Sequence, residues 1–182
     1  EHGVEPQSGR EVVNWVNGLK DNVRQSVSGF DLTFSPAKSV SVVWALSDEE
    51  TARRIERLHH QAVSEAMAWA EDNALFTRVG KRGREQVKTK GFVASEFKHY
   101  DTRAGDPDLH SHVLVSNKVQ TEDGRWLSID GYTLMKYHQS ISHRYDSILN
   151  TLLSNQMGYT FTACDHGVNK EPTWEIEGVS ES

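Results

Sequence analysis

A single cysteine, Cys164, stands among 182 residues, so no internal disulfide can staple this chain. That usage fits a reducing cytoplasm. No apolar run approaches the ~20 residues that a membrane-spanning helix needs, and the first residues do not read as a signal peptide. A basic excess is missing too: 20 Lys and Arg stand against 26 Asp and Glu, for a formal net charge of −6. The chain is therefore not a generic polycation for coating nucleic acid. Any phosphate contact must come from a local patch of Lys and Arg placed where the strand lies. Repeats and low-complexity tracts are absent, and the length suits one domain with a real core. The chain starts at Glu1 without a methionine and stops at Ser182 soon after a strand-like run, so both ends are expected to be cuts from something longer.

The densest chemistry lies between residues 99 and 117, which hold His99, His110 and His112. His110 and His112 run into Val113, Leu114 and Val115, a strand pattern. Side chains two apart on a strand share a face, so both imidazoles project the same way. His99 closes another strand-like run over residues 91–100, and Asp106-Pro107 between them signals a turn. If the two runs are neighbours, His99 is carried back beside the other pair. A lone strand histidine is ordinarily structural, and a His-x-His alone is commonly incidental. A third imidazole on the same face makes a divalent-metal site with positions left open for substrate.

The rest of the chain supplies a scaffold. Residues 1–28 read as a lead-in, with a short amphipathic helix over residues 10–20; residues 29–182 read as the main domain. Phe30, Leu32 and Phe34 alternate with Asp31, Thr33 and Ser35, a strand with one apolar and one polar face, and Asp31 lies on the polar side. Ser35-Pro36 ends it. Lys38 and Ser39 either aim a cation and a hydroxyl at a phosphate or begin the next element, and periodicity leaves residues 40–46 open between strand and helix. Ser47 and Glu50 fit a capping box for a long helix reaching about Asn73, with Ile55, Leu58, Ala62, Ala66, Trp69 and Ala70 as its core stripe. His59 and His60 on that helix are expected at its surface.

Residues 77–90 form the most basic segment, with Arg78, Lys81, Arg82, Arg84, Lys88 and Lys90 opposed only by Glu85. This is either a solvated hairpin loop or a phosphate-contacting arm. Downstream, the second histidine strand runs to about Val119, and Thr121 to Gly124 make a hairpin turn. A short strand over residues 125–129 carries Trp126. Asp130 then caps a helix to about Met157, with Gly158 as its stop. Residues 159–163 and 173–176 form a closing hairpin. The pattern predicts an α+β fold: a central antiparallel sheet of about five strands flanked by two long helices.

Two stretches together resemble a known family. Phe-Asp-Leu-Thr-Phe-Ser-Pro-Ala-Lys-Ser-Val-Ser at residues 30–41, and His-Tyr-Asp-Thr-Arg-Ala-Gly-Asp-Pro-Asp-Leu-His-Ser-His at residues 99–112, resemble the MobF-type conjugative relaxases, within the HUH endonucleases. The resemblance extends over roughly residues 29 to 177. It implies the relaxase fold and a function: binding single-stranded or hairpin DNA at a plasmid origin of transfer, and nicking one strand by tyrosine attack on a phosphodiester. It implies that His99, His110 and His112 hold a divalent ion, Mg²⁺ or Mn²⁺ in use, with Zn²⁺, Ni²⁺ or Co²⁺ also accommodated. Asp31 matches the family's acidic residue beside the metal, and a carboxylate there can fix a ligand histidine's tautomer. Lys38 falls in the family's Pro-x-Lys-Ser-like turn. Lys38, Arg78, Lys81, Arg82, Arg84 and Lys88 are the expected DNA contacts.

One departure concerns the attacker. In the family the catalytic tyrosines precede the Asp-Leu-Thr-Phe-Ser strand, whereas the first tyrosine here is Tyr100. The expectation is a relaxase fragment lacking that N-terminal segment and the sheet's first strand, cut from a parent that can continue into a helicase domain. Tyr137 and Tyr145, on the late helix, are the weak substitutes. Two other readings use the same residues: a metal-dependent hydrolase that employs bound water, and a DNA-binding module without chemistry.

Overall fold

The computed structural model describes residues 27–165, 167–168 and 171–179. The helix expected over residues 10–20 lies outside them. β1 (Gly29–Phe34) leads into α1 (Lys38–Leu46) and α2 (Glu49–Asn73); β2 (Phe76–Val79), β3 (Glu85–Asp101), β4 (Pro107–Thr121) and β5 (Trp126–Leu127) follow. The chain closes with α3 (Gly131–Met157), β6 (Phe161–Cys164) and β7 (Thr173–Ile176). The main sheet runs β1-β4-β3-β2, with β5 added to β4, and its pairings are antiparallel. The expected α+β architecture is present, with five strands and two long helices.

Strand β4 is the spine of the sheet. Leu109, Ser111, Val113, Val115 and Val119 are buried on one face, while His110, His112 and Leu114 project from the other. The period-2 alternation thus separates a core face from an open face. Phe34 from β1 joins the core face, which α2 and α3 cover with Ile55, Leu58, Ala62, Ala66 and Ala70 on one side and Leu134, Ile141, Tyr145, Leu149 and Leu153 on the other. Burying each such large aliphatic chain stabilises the fold by roughly 1.5–3 kcal/mol before entropy is counted.

Several local readings that the sequence left open are settled, and others are corrected, by the structure. Residues 38–46 are helical, and Lys38 and Ser39 open that helix. A remote carboxylate serves its first turn: Ser39 donates its amide to Glu175 Oε2 at 2.9 Å, and Ile176 donates to Ser39 Oγ at 2.8 Å, so the β6–β7 hairpin docks on α1. The N-cap of α2 is Asp48, one residue later than the capping box placed it; its carboxylate accepts from the Thr51 amide at 2.8 Å. Ser47 turns back to donate to the Val43 carbonyl. Asp130 does precede α3, but its side chain caps no backbone amide. Its Oδ2 instead accepts from Arg78, Gln86 and Thr133 at 2.8, 3.0 and 2.9 Å. Gly158 stops α3 at φ 78°, as a left-handed cap requires.

The basic segment is mostly strand. β2 and the start of β3 pair from Phe76↔Lys88 to Val79↔Glu85, joined by a tight turn through Lys81–Gly83. Strand β3 also extends six residues before the predicted start, bridged by register shifts between Thr89 and Ala94. These shifts bend the strand where Gly91 takes φ 100°.

Candidate metal centre

The turn between β3 and β4 returns the chain so that His99 pairs directly with His110. Thr102 Oγ1 organises that turn by accepting from the Ala104 and Asp106 amides, both at 3.2 Å. His112 sits opposite Phe97 on one side and Thr33 on the other. The ring centroids of His99, His110 and His112 lie 5.1, 5.1 and 5.3 Å apart, and one nitrogen from each falls within 4.8 Å of the others.

Hydrogen bonds decide which nitrogens are offered. His112 Nδ1 lies 2.9 and 3.1 Å from the two Asp31 carboxylate oxygens and 3.1 Å from Thr33 Oγ1. A carboxylate can only accept, so Nδ1 carries the proton and Nε2 keeps its lone pair. His110 Nδ1 likewise donates to the Asp108 carbonyl at 2.8 Å. Two of the three imidazoles are thereby locked in the tautomer that a cation needs. The donor set therefore fits a divalent ion of borderline softness, with room for oxygen ligands of a substrate. Asp31 is a strand neighbour of Leu114, two residues along β4 from His112, so the pleat puts its carboxylate beside the ring. Thr33 escaped the sequence reading, although its spacing from Asp31 put it on the same face.

The other expected site residues are dispersed. Lys38 is exposed at the start of α1, and its Nζ donates to the Pro107 carbonyl at 3.1 Å, tying α1 to the entry of β4. Arg78 is engaged in the ion pair with Asp130. Lys81, Arg82, Arg84 and Lys88 are exposed around the β2–β3 turn. From the end of that turn at Glu85 to His99, β3 runs fourteen residues, roughly 45 Å of contour at the rise of a strand. Tyr145 is 1% exposed on the core face, and Tyr137 packs near Trp69 with ring centroids 6.3 Å apart. Neither is an attacker for a phosphate at the imidazoles: the sheet lies between Tyr145 and that site. Burial also pushes the Tyr145 phenol well above its ordinary range, with Asp146 adding to the effect.

His59 is the main surprise. Expected at the surface, it is fully buried. Its Nδ1 meets the Tyr145 hydroxyl at 2.7 Å and its Nε2 meets Ser111 Oγ at 2.9 Å. The signal was available: His59 follows Ile55 by four residues and precedes Val63 by four, so a 3.6-residue period places it in the core stripe.

A family model described as TrwC relaxase matches residues 2–182. The chain belongs to the TrwC relaxase family. A multifunctional conjugation protein TraI of Escherichia coli is 38% identical over 170 residues, covering 88% of this chain and 9% of that protein. The conjugative relaxase TrwC in complex with OriT DNA, in a copper-bound structure, matches with a TM-score of 0.72 at 27% identity, over 87% of this chain and 52% of that one. TrwC complexed with a 27-mer DNA comprising the recognition hairpin and the cleavage site matches with a TM-score of 0.69 at 26% identity, over 84% of this chain and 51% of that one. The relaxase chain described here thus spans about half of those solved chains and under a tenth of TraI. Among the described residues no helix is long and apolar enough to cross a membrane.

Proposed function

We propose that this relaxase-family chain is the metal- and DNA-binding core of an enzyme that nicks single-stranded DNA at an origin of transfer during conjugation. The observation that carries the reading is the convergence of His99, His110 and His112 with Asp31 set behind His112. His99, His110 and His112 would hold a divalent cation, which when bound supplies positive charge to the non-bridging oxygens of the scissile phosphate. Asp31 keeps the His112 proton on Nδ1, and the Asp108 carbonyl does the same for His110. The neutral ligands leave the cation's charge undiminished for the phosphate. The imidazole set itself favours Mn²⁺, Zn²⁺, Ni²⁺ or Co²⁺, and Mg²⁺ would be recruited through the phosphate oxygens.

The nicking step exchanges one ester for another. A tyrosine phenolate forms a bond to phosphorus, the bond to the 3′ oxygen breaks, and that oxygen leaves as a hydroxyl after taking a proton. A phenol with a pKa of about 10 must be activated for this. We assign the tyrosine, with the sheet's first strand, to a segment of the parent protein ahead of this chain. A helicase domain would follow in the same parent. Lys81, Arg82, Arg84 and Lys88 form a basic arm that grips hairpin or flanking DNA away from the scissile bond, given the length of β3 between them and His99. The setting is the cytoplasm, where Cys164 stays reduced.

The test uses labelled single-stranded origin DNA with Mn²⁺. This chain shifts the DNA on a gel without cleaving it. The chain with the upstream tyrosine segment restored gives a covalent 5′ adduct and a free 3′-hydroxyl end. Cleavage by the present chain without an adduct would identify a water-using hydrolase instead, and no adduct from the restored protein would sink the relaxase mechanism. The metal assignment is checked separately. Mn²⁺ at about a hundred times its Kd should raise the melting temperature by roughly 5–10 °C, and His110→Ala should abolish that rise.

A further inference from the structure

Behind the imidazole face, a chain of hydrogen-bonded polar groups runs from the buried faces of the helices, through Tyr145, His59 and Ser111, to the half-buried His60 and the exposed Glu96. Its members are Tyr145 on α3, His59 and His60 on α2, Ser111 on β4 and Glu96 on β3. Tyr145 Oη lies 2.7 Å from His59 Nδ1, His59 Nε2 lies 2.9 Å from Ser111 Oγ, and Ser111 Oγ donates to Glu96 Oε1 at 2.8 Å. His60 Nδ1 reaches the same Glu96 oxygen at 2.7 Å.

The proton positions follow from the carboxylate end. Glu96 can only accept, so Ser111 spends its proton there and must accept from His59 Nε2–H. His59 Nδ1 is then bare and accepts from the Tyr145 hydroxyl. Glu96 Oε1 accepts from both Ser111 and His60, and no buried side-chain polar atom among the described residues lacks a partner. A fully satisfied network of this kind specifies one arrangement of the elements it joins. Burial, reinforced by His60, His110 and Lys98, pushes the His59 pKa down to about 3, so the ring stays neutral as this pattern requires.

Ser111 is the residue between His110 and His112, and it is completely buried. It also stands where the backbone ladder thins. Pairing of β1 with β4 ends at Phe34↔Ser111, so His110 is laddered on one side only, by β3. That remaining ladder has its own irregularity between His99 and Asp101. Ser111 and His112 keep both ladders, His110 has one, and the side-chain contact from His59 to Ser111 adds a hold from beneath where the second ladder stops.

We propose that His59 is a positioning residue for the metal centre: through Ser111 it anchors β4 so that His110 and His112 stay converged with His99. This rests on the metal reading above. His110 and His112, the two rings carried by β4, would otherwise shift against His99 on β3, because pairing with β1 ends at Ser111 and the next core contact toward the strand's start is Leu109 N–H on Ser41 Oγ at 3.2 Å. Glu96 and Tyr145 set the direction of the anchor, one as the final acceptor and the other as the first donor.

The test uses the full chain and Co²⁺ as probe, read by its visible absorption and by Kd. His59→Gln keeps an amide near the Nε2 position and should still reach Ser111. His59→Asn reaches only toward Tyr145. Asn also leaves the larger cavity, so Ser111→Ala, which keeps the ring in place and removes only the hydroxyl, separates the hydrogen bond from packing. The expected result is Co²⁺ binding within a few-fold of the parent for His59→Gln and about tenfold weaker for His59→Asn, with an altered spectrum. Ser111→Ala should match His59→Asn. Equal Co²⁺ affinity and spectra in both His59 variants would overturn the proposal. Should the ring replacements fail to fold, Ser111→Ala decides alone, and parent-like Co²⁺ binding there overturns it. Failure of the metal reading looks different: the unmodified chain and His110→Ala would then bind Co²⁺ equally weakly.

Discussion

At the residue scale, the chemistry of the centre is a matter of which nitrogen holds a proton. Asp31 reaches His112 from a neighbouring strand and makes it a donor outward and an acceptor inward. Asp31→Ala should therefore weaken Mn²⁺ binding by about 10–100-fold with little change in the melting of the metal-free chain, as titration calorimetry and a thermal scan would show. Retained affinity would mean that Thr33, also within reach of Nδ1, is sufficient. His59 makes the opposite electrostatic demand, since its burial favours the neutral ring. Its folded pKa of about 3 lies below the usual 6.5, so the unfolded chain binds the extra proton. Its contribution to stability is complete above pH 6.5 and is lost as pH falls towards 3, by at most about 1.4 kcal/mol per pH unit. Urea midpoints from pH 7.5 to 4.5 should fall for the parent chain and flatten in His59→Gln; parallel slopes would remove His59 as the source.

At the element scale, β1 is the piece on which the centre depends most. It is the edge strand that carries both Asp31 and Thr33, and six pairs join it to β4. Asn117 fastens its entry, donating from its backbone to the Ser28 carbonyl at 3.0 Å and from its side chain to the Val27 carbonyl at 2.7 Å. Its Oδ1 accepts from the Ile129 amide at 2.9 Å, so one side chain also holds the chain beyond β5. Gly29 permits the close approach: a Cβ there would stand 2.6 Å from the Val115 carbonyl oxygen. That neighbour is backbone in the spine of the sheet and cannot swing away. Gly29→Ala should cost about 1–3 kcal/mol in denaturant unfolding. It should also raise the Mn²⁺ Kd, because it lifts Asp31 from His112. Destabilisation with unchanged metal affinity would show that β1 shifts without carrying its carboxylate along.

At the scale of the whole molecule, the proposed function requires an acidic chain to present DNA with a locally basic surface. Arg78 is paired with Asp130, which leaves Lys81, Arg82, Arg84, Lys88 and Lys90 as the other exposed cations of the basic segment. Replacing Lys81, Arg82 and Arg84 together by Glu should weaken DNA binding and reduce the magnitude of the log K against log salt slope by about two to three. Mn²⁺ affinity should stay unchanged, since the arm lies at the far end of β3. An unaltered salt slope would take the arm out of the DNA interface. On the proposed function, DNA affinity would be carried at the β2–β3 end and chemistry at the β3–β4 end.

Much of this was legible in the sequence, and the reason is that helix and strand periods are local. Residues two apart share a strand face whatever surrounds them, so His110 and His112 were bound to point together, and Asp31 was bound to fall on a polar face. The long helices, the turn at Gly124 and the stop at Gly158 followed in the same way from nearby residues. Tertiary structure alone decided what those faces meet. The pairing of His99 with His110, the seat of Asp31 on a ring 81 positions away, the diversion of Asp130 to Arg78 and the burial of His59 against Tyr145 are contacts between distant parts of the chain. No local period encodes them; they arise because a sheet must choose one register and a buried polar group must find a partner.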